Sequence, residues 1–515
     1  MNVLYCLRRA KQFHGEDIAS YRGSNGNDGA QAQPITWNEF YDRVHRAAAY
    51  LRDLGIQKGD RVAIWMLNSH EYLELYYATA LAGIVVVPLN TRWHESDVDF
   101  TLADSDAVAL IVDDRFAPLV TQLAHPPKVI YAGAGACPEG MIPYGYSDTT
   151  HAFEEPDEQD LVGLFYTSGT TGGPKGAMLT HRNLWSNLLH SMLVSIRKAV
   201  WLHSAPMFHL ADLGAIYTIT ANGGTHCYLP TFDPELCMQL IERYRVTETV
   251  LVPTMLNMVI HSPEFGKYDL SSLTRFLYGA SPMPTPLVKT AMANLPETRF
   301  RQGYGLTEAS PLLTLLDYED HFGAAITSAG KPVFGTEVRV VDDFDRDVPV
   351  GESGEIIARG ANIMKGYWKR PEITAEVLRN GWLHTGDIGK FDEHGFLYIL
   401  DRKKDMIKPG GENVYTPEVE SMVAAHPAVL EVAVIGVPDA KWGETIRAVV
   451  TLRPGFELTE EELICWCRDK MTHFKCPASV VFVDALPKGG TGKVQKGVLR
   501  EKYGTPKERA TSVQR

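Results

Sequence analysis

The stretch with the most obvious chemistry is Tyr166-Thr-Ser-Gly-Thr-Thr-Gly-Gly-Pro-Lys175-Gly-Ala-Met-Leu-Thr-His181. Glycines at 169, 172, 173 and 176 allow positive φ and let successive N–H groups converge on one anion. Thr167, Ser168, Thr170 and Thr171 add hydroxyl donors, and Lys175 adds charge. The apolar run Leu161 to Tyr166 before it has the pattern of a buried strand, and Arg182 to Leu189 after it that of a helix. Strand, glycine-rich loop, helix is a phosphate-binding layout. A Walker A loop requires Gly-Lys-Ser/Thr, whereas here Pro174 precedes the lysine and Gly176 follows it, so the motif is not that of a P-loop NTPase. Taken alone, such a run is also compatible with a surface turn of small residues.

The elements that must position this loop follow from pattern. At 515 residues the chain has room for a large core and two to four units. Its net charge of -13 argues against broad nucleic-acid binding, so a polyanionic ligand must be met by local positive charge. The seven cysteines are scattered and odd in number, which suits reduced thiols and a cytoplasmic location. The longest apolar stretch, Tyr76 to Leu89, is broken by Gly83 and Pro88 and is short for a membrane span. Thr36 and Glu39 form a capping box for a helix from about 37 to 54. A strand at 61–66, a helix at 69–81 and a strand at 84–88 then make a βαβ unit, so the class is α/β with parallel sheet content. Residues 22–34 are a polar loop and 154–160 a solvated acidic connector. From about 330 the pattern changes to short strands and turns, and from Arg402 helices and strands alternate again. The residues from 402 carry a net charge of about +3, leaving about -16 for 1–401. The tail after Gly504 has the composition of an unstructured terminus.

These features, from the opening loop to Lys493, resemble the adenylate-forming superfamily, in particular AMP-forming acyl-CoA synthetases, which share it with nonribosomal adenylation domains and luciferases. The resemblance implies a large AMP-binding domain at 1–401, with mixed, mostly parallel sheets flanked by helices and a small β-rich subdomain at about 330–401. It further implies a small mobile α+β catalytic domain at 402–515, with a hinge near Lys404. The implied reaction has two halves: a carboxylate attacks the α-phosphate of ATP to give an acyl-adenylate and pyrophosphate, and a thiol then displaces AMP. ATP, Mg²⁺ and coenzyme A are the implied co-substrates and cofactors.

Residue by residue, Gly303-Tyr-Gly-Leu-Thr-Glu308 resembles the motif whose glutamate binds Mg²⁺, whose threonine touches phosphate and whose tyrosine flanks adenine, here Glu308, Thr307 and Tyr304. Gly279, Ala280 and Ser281, followed by Pro282, resemble the turn against which adenine lies. Asp387 falls where the family aspartate accepts the ribose hydroxyls, and Arg402 adds a second ribose contact. The ATP set is completed by Thr167, Ser168, Gly169, Thr170, Thr171, Gly172 and Lys175. Lys493 corresponds to the adenylation catalyst on a mobile loop, while Lys488 and Lys496 read as surface charge. Lys408, Gly410 and Gly411, with Trp442, correspond to the pantetheine channel. His209 corresponds to a histidine that gates or lines the acyl site, and Ala211, Gly214, Gly303, Pro311 and Leu312 to its small or apolar walls.

The expected activity is therefore ATP-dependent ligation of an apolar acid, fatty or arylalkanoic, to CoA. The alternatives are an adenylation enzyme loading a carrier protein and a luciferase-like oxygenase. No carrier domain follows Lys493 and no long insertion precedes the hinge, and both features favour CoA. A nucleotide sensor has no need of Lys493. The expected partners are small molecules, with no nucleic acid and no integral membrane segment, and the expected assembly is a homodimer.

Overall fold

The computed structural model describes residues 1–22, 32–167, 173–192, 198–281, 283–488 and 494–505. Ser168, Gly169, Thr170, Thr171, Gly172, Pro282 and Lys493 lie outside these residues, as do positions 23–31 of the polar loop and the tail from 506.

Helix α1 (Trp37–Asp53) starts at the expected capping box: Thr36 Oγ1 accepts from the Glu39 N–H, and the Glu39 carboxylate accepts from the Thr36 N–H. Strand β1 (Arg61–Trp65), helix α2 (His70–Ala82) and strand β2 (Val85–Pro88) follow as the parallel βαβ unit. Helix α2 is mostly apolar and buried on nearly all sides, and its buried Glu74 is paired with Arg43. It ends where Gly83 turns left-handed at φ 66°, which separates it from β2. Among the described residues, no helix is long and apolar enough to cross a membrane.

After helix α3 (Glu95–Ser105) and strand β3 (Ala107–Val112), the chain reaches strand β4 (Leu161–Thr167), strand β5 (Lys175–Thr180) and helix α4 (His181–Met192). Strand β6 (Val200–His203), helix α5 (Leu210–Ala221), strand β7 (Thr225–Tyr228), strand β8 (Glu248–Leu251), strand β9 (Arg275–Gly279), strand β10 (Arg299–Gly305) and strand β11 (Leu312–Leu316) follow. The two-residue strand β12 (Gly366–Tyr367) comes much later in the chain. Two large sheets are present among the described residues. In one, β7, β6, β8, β9 and β10 run parallel and β11 closes antiparallel on β10. In the other, β3, β1, β2 and β4 are parallel, and β5 and β12 extend it antiparallel. Both are mixed and mostly parallel, as expected.

By contacts the chain divides into a unit of Met1–Arg339, Ile357–His384 and His394–Leu397, and a unit of Val340–Ile356, Thr385–Glu393 and Tyr398–Arg515. In the second unit, strand β13 (Leu397–Arg402) leads to helix α6 (Thr416–Ala424), the antiparallel strands β14 (Val429–Asp439) and β15 (Gly443–Leu452), helix α7 (Glu460–Arg468), strand β16 (Ser479–Phe482) parallel to β15, and helix α8 (Lys496–Tyr503). Its core is Val419, Val423, Val434, Ile446, Ala448, Val450 and Leu463, the inward residues of α6, β14, β15 and α7.

Helix α4 buries two histidines, His181 and His190, and burial pushes each imidazole from the usual 6.5 down to about 4. Near His181 the carboxylates of Asp160 and Glu155 oppose that shift. Because the folded pKa is depressed, the unfolded chain binds more protons between the two values. Stability is therefore complete above 6.5 and is lost as pH falls toward 4. On going from pH 7 to pH 5, wild type should lose about 2 kcal/mol more than His190→Gln. Chemical denaturation at the two pH values measures this, and equal losses would refute it.

Candidate active site

Lys175 does not open a helix. It is the first residue of β5 and pairs with Thr167, the last residue of β4, so the glycine-rich stretch joins two antiparallel strands. The expected strand before the loop and helix after it are present, but strand β5 stands between loop and helix, and in that respect the strand, loop, helix layout is corrected. Residues 175–180 have a second pairing partner in β12, nearly two hundred positions downstream, and this draws them into the sheet. Lys175 thus gains nothing from a helix dipole and acts as a charge at the mouth of a hairpin. Gly173 has the expected positive φ, 91°. Gly176 does not: it lies in β5, and a Cβ there would sit 2.9 Å from the Tyr166 ring. Its smallness serves packing. The hairpin base is held by Asp104 on α3, which accepts from the Tyr166 hydroxyl (2.7 Å) and from Arg370 Nη2 (2.7 Å), while its carbonyl accepts from Trp368 Nε1 (3.0 Å).

The other motifs collect at the carboxyl ends of β9 and β10, where ligands gather in open α/β sheets. Gly279 and Gly303 are register partners, and a Cβ on Gly279 would lie 2.2 Å from the Gly303 carbonyl oxygen, so only glycine fits. The turn beyond β9 places Ala280 at φ 64°, and the turn after Glu308 places Ser310 at φ 65°. Left-handed non-glycine residues are uncommon and cluster at functional sites. Tyr304 lies in β10, and Thr307 and Glu308 form a short 3₁₀ turn. The buried Glu308 carboxylate accepts from the Tyr367 hydroxyl at 2.5 Å, and the Lys175 ammonium lies 5.8 Å from the Tyr367 ring centre. Asn362, fully buried, donates to the carbonyls of Ala309 and Leu312 and holds the turn between them.

The expected acyl walls also come together. A Cβ on Gly214, in α5, would lie 3.3 Å from Pro311 Cδ and 2.9 Å from Asn187 Nδ2, and one on Gly303 would lie 3.0 Å from Leu312 Cδ1. Ala211 sits one turn before Gly214 on the same helix. The start of α5 is anchored by buried Asp212, which accepts from the His203 ring (2.5 Å) and from Trp201 Nε1 (3.3 Å). His209 immediately precedes α5. Burial, with the nearby Arg92 charge, holds its imidazole at about 4, so it is neutral at pH 7.

In the second unit, Arg402 Nε donates to Asp387 Oδ1 at 2.8 Å, so the two expected ribose residues are neighbours. The Asp387 N–H in turn bonds Thr385 Oγ1 (3.1 Å). Lys404 is exposed in the turn after β13. The Gly410 N–H donates to the Trp442 carbonyl (2.8 Å), and Gly410 and Gly411 both have positive φ, 61° and 93°. The Trp442 side chain is 47% exposed, so it is not a core residue. The Lys408 N–H donates to Glu444 (2.9 Å). Lys496 corrects its reading as surface charge: it is 16% exposed, pairs with Glu420 (2.7 Å) and donates to Thr416 (2.6 Å). Lys488 is half exposed and pairs with Glu431.

Residues 7–368 match the family model described as AMP-binding enzyme, and residues 418–493 match that of the AMP-binding enzyme C-terminal domain. The chain belongs to the AMP-binding enzyme family. It is 42% identical over 480 residues to a feruloyl-CoA synthase of Amycolatopsis, covering 91% of this chain and 94% of that one. It is 38% identical over 481 residues to a long-chain-fatty-acid–CoA ligase of Mycobacterium tuberculosis, covering 91% and 93%. Among solved structures, ATP-bound MatB from Rhodopseudomonas palustris superposes with a TM-score of 0.85 at 33% identity, covering 98% of this chain and 99% of that one. The o-succinylbenzoate CoA synthetase of Bacillus subtilis, in complex with its acyl-adenylate, gives 0.83 at 31% identity, covering 96% and 97%. Within the family, this chain is an AMP-forming acyl-CoA synthetase.

Three side chains that sequence reasoning missed organise this family member's site: Asp104, Asn362 and Tyr367. Only the last had a local signal. The aromatic pair Tyr367-Trp368 follows a glycine in an otherwise polar stretch, Lys365-Gly-Tyr-Trp-Lys369.

Proposed function

We propose that the enzyme activates an apolar fatty or arylalkanoic acid with MgATP and transfers the acyl group to CoA. The observation that carries this reading is the meeting of Gly214, Pro311, Gly303 and Leu312 beside the β10 motif that bears Glu308. The acid would lie along small and apolar walls, with its carboxylate directed toward the phosphates. The names of two relatives, a feruloyl-CoA synthase and a long-chain-fatty-acid–CoA ligase, support acids of this kind.

In the first half-reaction the acid carboxylate attacks the α-phosphorus and pyrophosphate leaves. Lys175 and the hydroxyls of the hairpin, Thr167 among them, clamp the phosphates. Thr307 contacts phosphate, and Lys493 stabilises the charge that develops between carboxylate and α-phosphate. Glu308 fits a hard divalent cation, because Mg²⁺ in such sites takes one or two carboxylates and shares its remaining positions with phosphate and water. Adenine lies against Gly279 to Ser281 and Tyr304, and ribose bonds Asp387 and Arg402. Neutral His209 lines the acyl entrance. In the second half-reaction the small domain pivots near Lys404, and Lys408, Gly410, Gly411 and Trp442 guide the pantetheine thiol to the acyl carbonyl, from which AMP leaves. A cytoplasmic location suits ATP and CoA.

Pyrophosphate release should be measured against short, medium, long-chain and aromatic acids, with and without CoA. The expected result is turnover that depends on both acid and CoA and yields a thioester, greatest for apolar acids. Release that ignores CoA and gives no thioester would overturn the reading.

A further inference from the structure

Tyr367 occupies an unusual position between two charges of opposite sign. Its hydroxyl, at the edge of the ring, donates to Glu308 Oε1 at 2.5 Å, while the Lys175 ammonium stands 5.8 Å from its centre. A phenol offers both functions in one side chain. Its O–H makes a short charge-assisted bond to a carboxylate, and its π face attracts a cation. We propose that Tyr367 is the positioning residue that orients the Glu308 carboxylate for the magnesium ion of MgATP and sets its spacing from Lys175.

The residue is built to stay in place. Its ring is buried, and its N–H donates to Thr374 Oγ1 at 2.9 Å. Its strand β12 pairs with β5 in the register Tyr367 to Ala177, two positions from Lys175. On one side of it the Trp368 N–H bonds the Gly176 carbonyl (2.8 Å), and on the other the Met364 N–H bonds the Glu308 carbonyl (2.8 Å). The segment 364–368 is thus pinned to the backbone of Glu308 and to that of Gly176, the neighbour of Lys175. With Oε1 engaged in a fixed direction, rotation of the Glu308 carboxylate is restricted, which would leave Oε2 for the cation. A phenylalanine would keep the face for Lys175 and lose the hold on Glu308, so the two roles can be separated.

This inference rests on the proposed role of Glu308, and the test distinguishes the two. Binding of a fluorescent non-hydrolysable ATP analogue should be titrated with Mg²⁺, without acid, for wild type, Tyr367→Phe, Tyr367→Ala and Glu308→Gln, with melting temperatures confirming that each is folded. Tyr367→Phe is expected to need about 5- to 10-fold more Mg²⁺ for half-maximal binding, the loss of one hydrogen bond to a charged group. Its Mg²⁺-free binding should match wild type. Tyr367→Ala should also weaken Mg²⁺-free binding, because the platform for Lys175 is gone. If Glu308→Gln shifts the Mg²⁺ requirement and Tyr367→Phe does not, the role of Tyr367 is overturned and that of Glu308 stands. If neither shifts it, the Glu308 reading falls and this inference with it. Equal weakening of Tyr367→Phe with and without Mg²⁺ would mark a merely structural residue and also overturn it.

Discussion

Lys493→Ala is expected to slow acyl-adenylate formation by roughly 10²-fold or more, while conversion of supplied acyl-adenylate and CoA to thioester proceeds at the wild-type rate. A cation placed where charge develops between a carboxylate and an α-phosphate acts only in the first half-reaction, so its removal separates the two. Lys493 itself lies outside the described residues. Lys488 and Val494 form an antiparallel bridge, and α8 begins at Lys496, which Glu420 and Thr416 hold in the second unit. Lys496→Ala removes that anchorage and should behave differently, as a loss of stability. Single-turnover assays of each half-reaction decide the matter. Equal loss in both halves would rule Lys493 out as the adenylation catalyst.

Gly410→Leu is the second large effect. It should reduce thioester formation by about 10²-fold or more while acyl-adenylate accumulates, for two reasons that add. The residue sits at φ 61° and ψ 19°, a conformation that costs an L-residue about 1–2 kcal/mol. Its Cβ would also lie 3.1 Å from the Trp442 ring, so a leucine must intrude on the path proposed for pantetheine. Gly410→Ala carries the backbone cost and the Cβ contact without the branched bulk beyond it, and should reduce thioester formation far less. Chromatography of acyl-adenylate and acyl-CoA after mixing measures both species. Unchanged turnover of Gly410→Leu would remove this glycine from the CoA path.

Features that depend on nearby residues were legible in advance. The Thr36 and Glu39 capping box, the βαβ unit that follows it and the end of α2 at Gly83 are set by hydrogen bonds and torsions within a few positions, so their residue types carry the information. Resemblance assigned Asp387 and Arg402 to ribose and Gly410 and Trp442 to pantetheine, and within each pair the two residues are neighbours. The layout around Lys175 was not legible. A lysine followed by an apolar run that leads into a helix fits either a loop or a strand. The choice was made by β4 and β12, which supply its hydrogen-bond partners from opposite sides. Lys496 was misjudged for a similar reason: its partners Thr416 and Glu420 stand on a helix about eighty positions upstream.

By itself the sequence determined the α/β class, the family and the residue types available at the candidate ATP, acyl and CoA positions, because motif spacing and local periodicity are written along the chain. Only the tertiary structure decided what those residues touch. Glu308 and Lys175 are 133 positions apart, and nothing along the chain relates them. They are brought to one tyrosine because a two-residue strand completes the sheet that carries the Lys175 strand, and its backbone must find partners when buried.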